Sequence, residues 1–354
     1  MNISILLGAG FSVAAGFPTA KQLSENIVNA SSLDFCIYAG NLCERPESIP
    51  YRKVLMKPFE NLLALIHFYS YLHCNHFDYE HFYDFYWKIR GISDLFAGEE
   101  LDMRIKEING LYQKLVCFYL DKADKMAKQY TEYYEHFNSF VRDSAQRDMV
   151  YIHTLNHDTL LEQMLDGQYS DGFSTTGSLF HCNEHDIQMF SESNYQGNIL
   201  LYKLHGSLDR YLYTYQNDFS KHEYIKIPLQ SGIDIEDIRN LNDIDKPCLQ
   251  CLIPDFLTGA TTKIRRYKEP FYASMFECFA KNLQNSDTIY IIGYGGHDKE
   301  INKYLLTHAR SKPIYIIDPF PNNELQRLSD KLGTNSRIIP KTIKECDVAL
   351  LHTS

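Results

Sequence analysis

Five short apolar runs, Ile3–Leu7, Met149–Leu155, Ile199–Leu204, Thr288–Ile292 and Pro313–Ile317, constrain this chain more than any other feature, because each stops at a glycine or a polar cluster. Runs of this length without alternation read as strands buried on both faces, the strand type of a parallel sheet covered by helices. Helical patterns follow the first, second and fourth runs, and a turn at Asp318-Pro319 follows the fifth. The helix after the first run is announced by Pro18 and by a capping box, Thr19 with Gln22, and extends to about Asn29. The expected fold class is therefore α/β, with a Rossmann-like, mostly parallel sheet.

The first and second runs are separated by far more chain than a crossover helix needs. Residues 31–145 carry long aromatic stretches at helical spacing, so the expected organisation is one α/β domain (1–30 plus 146–354) with a large helical insertion (31–145). Phe77, Tyr79, Phe82, Tyr83, Phe85, Tyr86 and Trp87 run around most of a helix circumference. Some of them must pack on other helices or on a neighbouring subunit, and a homo-oligomer is expected. Residues 211–285 mix short strands and acidic turns with a helix near Phe271–Leu283.

Charge and cysteine usage exclude several classes. With 35 basic and 45 acidic residues the chain carries a net charge of −10, which argues against direct nucleic-acid binding. No stretch is apolar for the length of a membrane span, and Met1–Leu7 has no basic segment before it, so no membrane association and a cytoplasmic location are expected. Nine irregularly spaced Cys fit a reducing compartment better than a disulfide framework.

Four motifs sit at the ends of the runs. Gly8-Ala9-Gly10-Phe11-Ser12, with Gly16-Phe17-Pro18, would let backbone N–H groups approach a pyrophosphate at a helix N-terminus; Val13 stands where the dinucleotide fingerprint wants a third glycine. Thr154-Leu155-Asn156-His157-Asp158 places polar side chains where open α/β sheets bind ligands, though Asn156 or Asp158 also suits a helix cap. Lys203-Leu204-His205-Gly206-Ser207 ends the third run. Gly293-Tyr294-Gly295-Gly296-His297-Asp298 ends the fourth, with Asp298 placed to cap the next helix. Asp318, ending the fifth, could accept from ribose hydroxyls and would repel a 2′-phosphate, favouring NAD over NADP.

In this order, G-A-G-x-S with G-x-P, T-x-N-x-D, K-L-H-G-S and G-Y-x-x-x-D resemble the signature blocks of the sirtuin superfamily, particularly its bacterial defence-associated NAD-hydrolase branch. The resemblance implies NAD as substrate, with Gly8, Ala9, Gly10 and Ser12 around the phosphates and Thr154 in the binding loop. It implies Asn156 at the nicotinamide ribose and attacking water, Asp158 at the carboxamide, His205 at the ribose hydroxyls or the water, and Gly293 and Tyr294 at the adenosine half. It further implies an NAD glycohydrolase acting as an anti-phage effector, with a genomically adjacent ATPase or sensor as partner. Protein deacylation, ADP-ribosyl transfer and non-catalytic sensing of NAD or ADP-ribose are the alternatives.

The chain departs from the deacylases of that superfamily in two places. Its glycine loop continues Thr19-Ala20-Lys21 where theirs continues Asp-Phe-Arg, and its one close cysteine pair, Cys248 and Cys251, cannot build a four-thiolate zinc site. No metal is expected. His181-Cys182-Asn183-Glu184-His185 matches a zinc-protease pattern but lies in loop-like sequence, where a helix would be needed to bring both imidazoles to one face. His73, Cys74, His76 and His81 are irregularly spaced, and Lys263, Arg265, Arg266 and Lys268 read as a solvated basic face.

Overall fold

The computed structural model describes residues 1–38, 41–96, 99–124, 132–182, 185–215, 218–227, 238–240, 254–259 and 262–346. Cys248 and Cys251 lie outside them, as do Asn183 and Glu184. The chain forms two compact units. One comprises Met1–Phe17, Asp124–Phe256 and Tyr267–Ser354, and the other Pro18–Ala123 with Leu257–Arg266.

The first unit is built on a six-stranded sheet. Its strands are β1 (Ile3–Leu7), β2 (Val150–Thr154), β3 (Ile199–Lys203), β4 (Thr288–Ile292), β5 (Ile314–Ile317) and β6 (Ser336–Ile339), in the spatial order β6-β5-β4-β1-β2-β3. Every neighbouring pair is parallel. Each residue of β1, β2, β3 and β4 is buried, as expected of strands covered on both faces.

Helices α1 (Glu135–Ala145), α2 (Leu160–Leu165), α3 (Pro270–Asn285), α4 (Lys299–His308) and α5 (Asn323–Leu332) belong to this unit. Leu6 is in register with both His153 and Ile291, so those two share a sheet face and Tyr290 points the other way. Phe279 of α3 packs on His153, while Phe140 of α1 packs on Tyr290, which places helices on both faces. Burial holds His153 neutral, with a pKa lowered to about 3, and its Nε2 bonds Asn282 at 3.2 Å. It is a core histidine.

The same unit carries two small antiparallel sheets. One orders Arg210–Tyr215, Asp218–Lys226, Gln188–Phe190 and Phe173–Ser174; the other orders Arg239–Asn240, Phe180–Cys182 and His185–Asp186. Phe180, Cys182, Ile187, Tyr213 and Ile225 form their buried core. His181 and His185 thus lie on two paired strands rather than on one helix. The sequence expectations include neither strand β6 nor helix α5, although Asn322, Leu325, Leu328, Leu332 and Gly333 mark α5 by cap and spacing. β6 contains a half-buried Ser336 and an exposed Arg337, so an edge strand of four residues offers no continuous apolar run.

The second unit holds helices Ala20–Val28, Lys53–Leu72, Tyr79–Phe96, Glu99–Asp124 and Thr262–Arg266 and a hairpin of Phe35–Tyr38 with Asn41–Glu44. Thr19 and Gln22 form the capping box of the first helix in both directions. The aromatic stretch is absorbed here. Phe82 is fully buried and its ring lies 5.0–5.4 Å from those of Tyr69, Phe77 and Tyr112. Tyr83, Tyr86 and Tyr79 are buried as well, and the Tyr112 hydroxyl donates to the Tyr79 carbonyl at 2.6 Å. Among the described residues no helix is long and apolar enough to cross a membrane.

Candidate functional site at the strand ends

The strands of the large sheet finish level with one another. Leu7 pairs with Thr154 on one side and Ile292 on the other, Thr154 with Lys203, and Ile292 with Ile317. The ladder then runs one residue further: Gly8 N donates to Ile292 O, Leu155 N to Leu7 O, Leu204 N to Thr154 O and Gly293 N to Ile317 O, each at 3.0 Å. Five loops therefore leave the sheet from one row. The chain moves outward from β1 to β2 and β3, then returns to place β4 on the other flank of β1. Such a reversal opens the crevice in which α/β sheets take ligands.

Beside β1 and β2 the polar side chains converge. Asn156 Nδ2 donates to the Gly8 carbonyl at 3.1 Å and to Ser12 Oγ at 2.9 Å, and its backbone N–H donates to Thr154 Oγ1 at 3.1 Å. The carbonyl at Gly8 fixes which end of the amide is nitrogen. With both Nδ2 hydrogens engaged, the amide meets any further group through Oδ1, an acceptor. Ser12, fully buried, passes its own hydrogen to Asp158. Asp158 Oδ1 also accepts from Leu160 N at 3.2 Å, which ties it to the first residue of α2, although the N-cap position of that helix is Thr159 and not Asp158 or Asn156. Burial raises the Asp158 pKa, and Lys203 and Ser12 oppose that rise in part. Tyr134 holds the short Ala9–Ser12 helix in place by donating to the Phe11 carbonyl at 2.6 Å.

Beneath these loops lies a buried ionic layer. Lys203 Nζ is fully enclosed, donates to the Asp158 carbonyl and to Ser207 Oγ at 2.8 Å, and forms an ion pair with Glu162 Oε1 at 2.9 Å. It ties the loop after β2 to the loop after β3. Lys226 pairs with Asp171 at 2.7 Å and Asp209 at 3.6 Å, and Arg210 meets Asp171 at 3.3 Å. Removing one member of such a layer strands a charge and costs on the order of 3–5 kcal/mol.

His205 leaves β3 toward the crevice side. Its Nε2 lies 3.0 Å from the Tyr267 hydroxyl and 3.7 Å from Asp298 Oδ2, and the Tyr267 hydroxyl lies 3.4 Å from the same Asp298 oxygen. Asp298 Oδ1 meanwhile caps α4 by accepting from Glu300 N and Ile301 N. Residues that follow β3 and β4, two strands separated in the sheet by β1 and β2, thus meet through one tyrosine. Tyr267 was not singled out in the sequence, where it stands inside the basic run; its only signal there is an aromatic residue amid charges. Lys203 had a place in a motif but no assigned task.

Beside β4 and β5 the loops turn inward. A Cβ on Gly293, whose φ is +62°, would sit 2.2 Å from Phe11 N, and one on Gly8 would sit 2.6 Å from Gly293 O. Gly10 N donates to Gly293 O at 2.9 Å, so these glycines let two backbones cross in contact. Ala9 and Gly10 remain exposed. Tyr294 is buried, its hydroxyl bonded to the Asp298 carbonyl at 3.0 Å and Asn302 Oδ1 at 2.8 Å. Asp318 is half-buried and accepts from Phe320 N at 2.8 Å, and burial raises its pKa. A separate open cavity of about 830 Å³ is lined by residues including His297, Lys299, Lys303 and Glu324, and none of Asn156, Asp158 and His205 lines it.

Among the described residues no group of three or more His, Cys, Asp or Glu side chains is arranged to hold a metal ion. The sequence pattern of the SIR2-like domain matches residues 150–335. No curated protein matches the chain. Among solved structures, an ADP-ribose complex of a substituted Sir2 homologue is 13% identical, with 99% of this chain and 90% of that chain covered and a TM-score of 0.44. A second such complex is 11% identical over 99% and 91%, with a TM-score of 0.41. A Sir2 homologue in complex with NAD is 11% identical over 99% and 88%, with a TM-score of 0.38.

Proposed function

The chain belongs to the SIR2-like domain family, and from that premise we propose that it is an NAD glycohydrolase that uses water to cleave NAD into nicotinamide and ADP-ribose. The observation that carries the reading is the convergence of Asn156, Ser12 and Asp158 at the ends of β1 and β2, with His205 at the end of β3. In the reaction the bond between ribose C1′ and the nicotinamide nitrogen breaks, and nicotinamide leaves with the electron pair. A water oxygen bonds C1′ and sheds a proton. The transition state is cationic at the ribose, so the protein's work is to fix the leaving group and hold the water.

The residues suit those tasks. Asn156 Oδ1, an acceptor once both amide hydrogens are spent, orients the water. Asp158 holds the carboxamide of nicotinamide, and His205 takes the ribose hydroxyls or the water proton. Gly8, Ala9, Gly10, Ser12 and Thr154 flank the phosphates and nicotinamide ribose; Gly293, Tyr294 and Asp318 flank the adenosine half. No step calls for a metal. The wider reading is a cytoplasmic defence effector that depletes NAD when triggered, works as a homo-oligomer, and pairs with an adjacent-encoded ATPase or sensor. Exposed Val54, Phe68, Tyr71 and Leu72 on the Lys53–Leu72 helix support assembly.

The test is release of nicotinamide and ADP-ribose from NAD, measured by chromatography with and without the protein encoded beside this one. We expect cleavage under at least one condition and its loss in His205→Ala. Turnover only when an acylated peptide is added would favour deacylation, and tight ADP-ribose binding without turnover under either condition would favour a sensor.

A further inference from the structure

We propose that Cys36 and Cys43 form a reversible oxidation site, two thiols set opposite one another across a hairpin, which a small-molecule disulfide converts into one cross-strand disulfide. The observation that carries this is register. In the antiparallel pairing of Phe35–Tyr38 with Asn41–Glu44, Cys36 stands directly opposite Cys43. Residues opposed in this way have Cα atoms about 4.5–5.5 Å apart, inside the span of about 4.4–6.8 Å that a disulfide needs, and their side chains leave the same face. Cys36 Sγ lies 3.9 Å from the Glu44 carbonyl oxygen, so it leans over the partner strand. Both residues are thiols, and neither is fully buried.

Alternation along the strands keeps the pair reachable. Phe35 and Leu42, both buried, occupy the other face, where the Phe35 ring lies 5.3 Å from that of Phe59 and 5.0 Å from that of Phe118. Beyond the pair the hairpin is tied at its base, Arg45 N donating to the Asp34 carbonyl at 2.8 Å and Arg45 Nε to the Leu33 carbonyl at 2.6 Å. A slip of register is thereby opposed, and whichever thiol reacts first has the second beside it. The exchange balances. One cysteine thiolate attacks a sulfur of the small disulfide, RSSR, forming a mixed disulfide and expelling RS⁻, which takes up a proton. The other cysteine thiolate attacks the protein sulfur of that mixed disulfide, forming the Cys36–Cys43 bond and expelling the second RS⁻, which is also protonated. The dithiol is oxidised by two electrons and RSSR is reduced to two RSH. Opposed Cβ atoms start about 4.5–5.5 Å apart and a disulfide holds them at about 3.5–4.5 Å, so closure draws the strands together and leaves a bond that is readily reduced again. Such a pair stands open under reducing conditions and closes under oxidising ones.

The test uses the full chain, reduced, treated with oxidised glutathione, quenched with N-ethylmaleimide and digested with trypsin. Both cysteines fall in one peptide, Gln22–Arg52, because Arg45 is followed by Pro46. We expect that peptide to appear without maleimide and two hydrogens lighter than its reduced form. Glutathione should persist on Cys74, an exposed cysteine in a turn, at least roughly tenfold longer than on Cys36 or Cys43. In Cys36→Ser and in Cys43→Ser the remaining cysteine should keep its glutathione as long as Cys74 does. A second probe needs no oxidant: phenylarsine oxide bridges two close thiols with loss of water, and it should bind Gln22–Arg52 in the parent and in neither variant. Lasting glutathione on both cysteines of the parent, or a parent peptide that takes two maleimides after oxidation and no arsenical, overturns the proposal. The parent measurements do not depend on how the variants fold, and none of the readouts involves NAD.

Discussion

After β1 and β2 the polar side chains turn toward one another, Asn156 to Ser12 and Ser12 to Asp158, in a buried cluster at the strand ends. After β4 and β5 they turn mostly back onto their own chain: Tyr294 bonds the first turn of α4, Asp298 caps it through Oδ1 while its Oδ2 faces Tyr267 and His205, and Asp318 closes a turn at Phe320. Both flanks leave the sheet from one row and both are rich in Gly, Asp and hydroxyl groups. The difference teaches that a strand-end position gives a side chain the opportunity to meet a ligand, whereas its hydrogen-bond partners determine whether any capacity is left for one. Under the proposed function, the first flank together with His205 carries the chemistry and the second chiefly carries the shape.

The contrast is broken most directly by exchanging what each flank loses. Asn156→Ala should lower NAD cleavage by at least roughly 100-fold while costing about 1–3 kcal/mol of stability, read from turnover and urea unfolding of the same preparation. Gly293→Ala should cost on the order of 3 kcal/mol because the new methyl meets the Phe11 backbone at a positive φ. Gly167→Ala, at φ +73° with nothing within 4 Å, is the control, and about 1 kcal/mol is expected there. Equal losses at the two glycines would mean that conformation alone matters and that the crossing is unimportant.

A smaller effect sharpens the comparison. Tyr294→Phe should cost about 1 kcal/mol in thermal unfolding and leave kcat within about twofold, since its hydroxyl serves α4. A large fall in kcat would move Tyr294 onto the chemical flank. Smallest is a pH effect at Asp158. Burial raises its folded pKa above the ordinary carboxylate value of 3.8, so the folded state holds the proton more tightly and stability falls as pH climbs from there through the raised value. Asp158→Asn should therefore gain on the parent as pH rises through that window and show no relative gain below it, in urea titrations at a series of pH values.

Five of the six strands of the sheet were legible because they are short and mostly apolar, and Thr19, Gln22 and Asp298 announced their caps by residue type and spacing. The strand-end placement of Asn156 and Asp158 was legible in the sequence, but their hydrogen bonding with Ser12 was not. The small antiparallel sheets escaped because strands such as Phe173–Ser174 and Gln188–Phe190 are too short to show a period. Tyr267 escaped because its meaning lies in partners 62 and 31 residues away. The aromatic stretch from Phe77 to Trp87 was rightly seen to exceed one helix face; its internal packing needed Tyr69 and Tyr112 from other helices, which no local pattern reveals.

The crossing of Gly8, Gly10 and Gly293 also bears on how such chains drift over evolutionary time. Each of these glycines fills a vacancy created by another, so none can gain a side chain alone, and the loops after β1 and β4 behave as a knuckle with a shared pin. A lineage that gave up binding its ligand would still be obliged to keep all three, and would go on displaying a glycine signature long after the chemistry had gone. Loss of function in relatives should thus be legible first at Asn156 and His205, with the glycine knuckle the last part of the motif to erode.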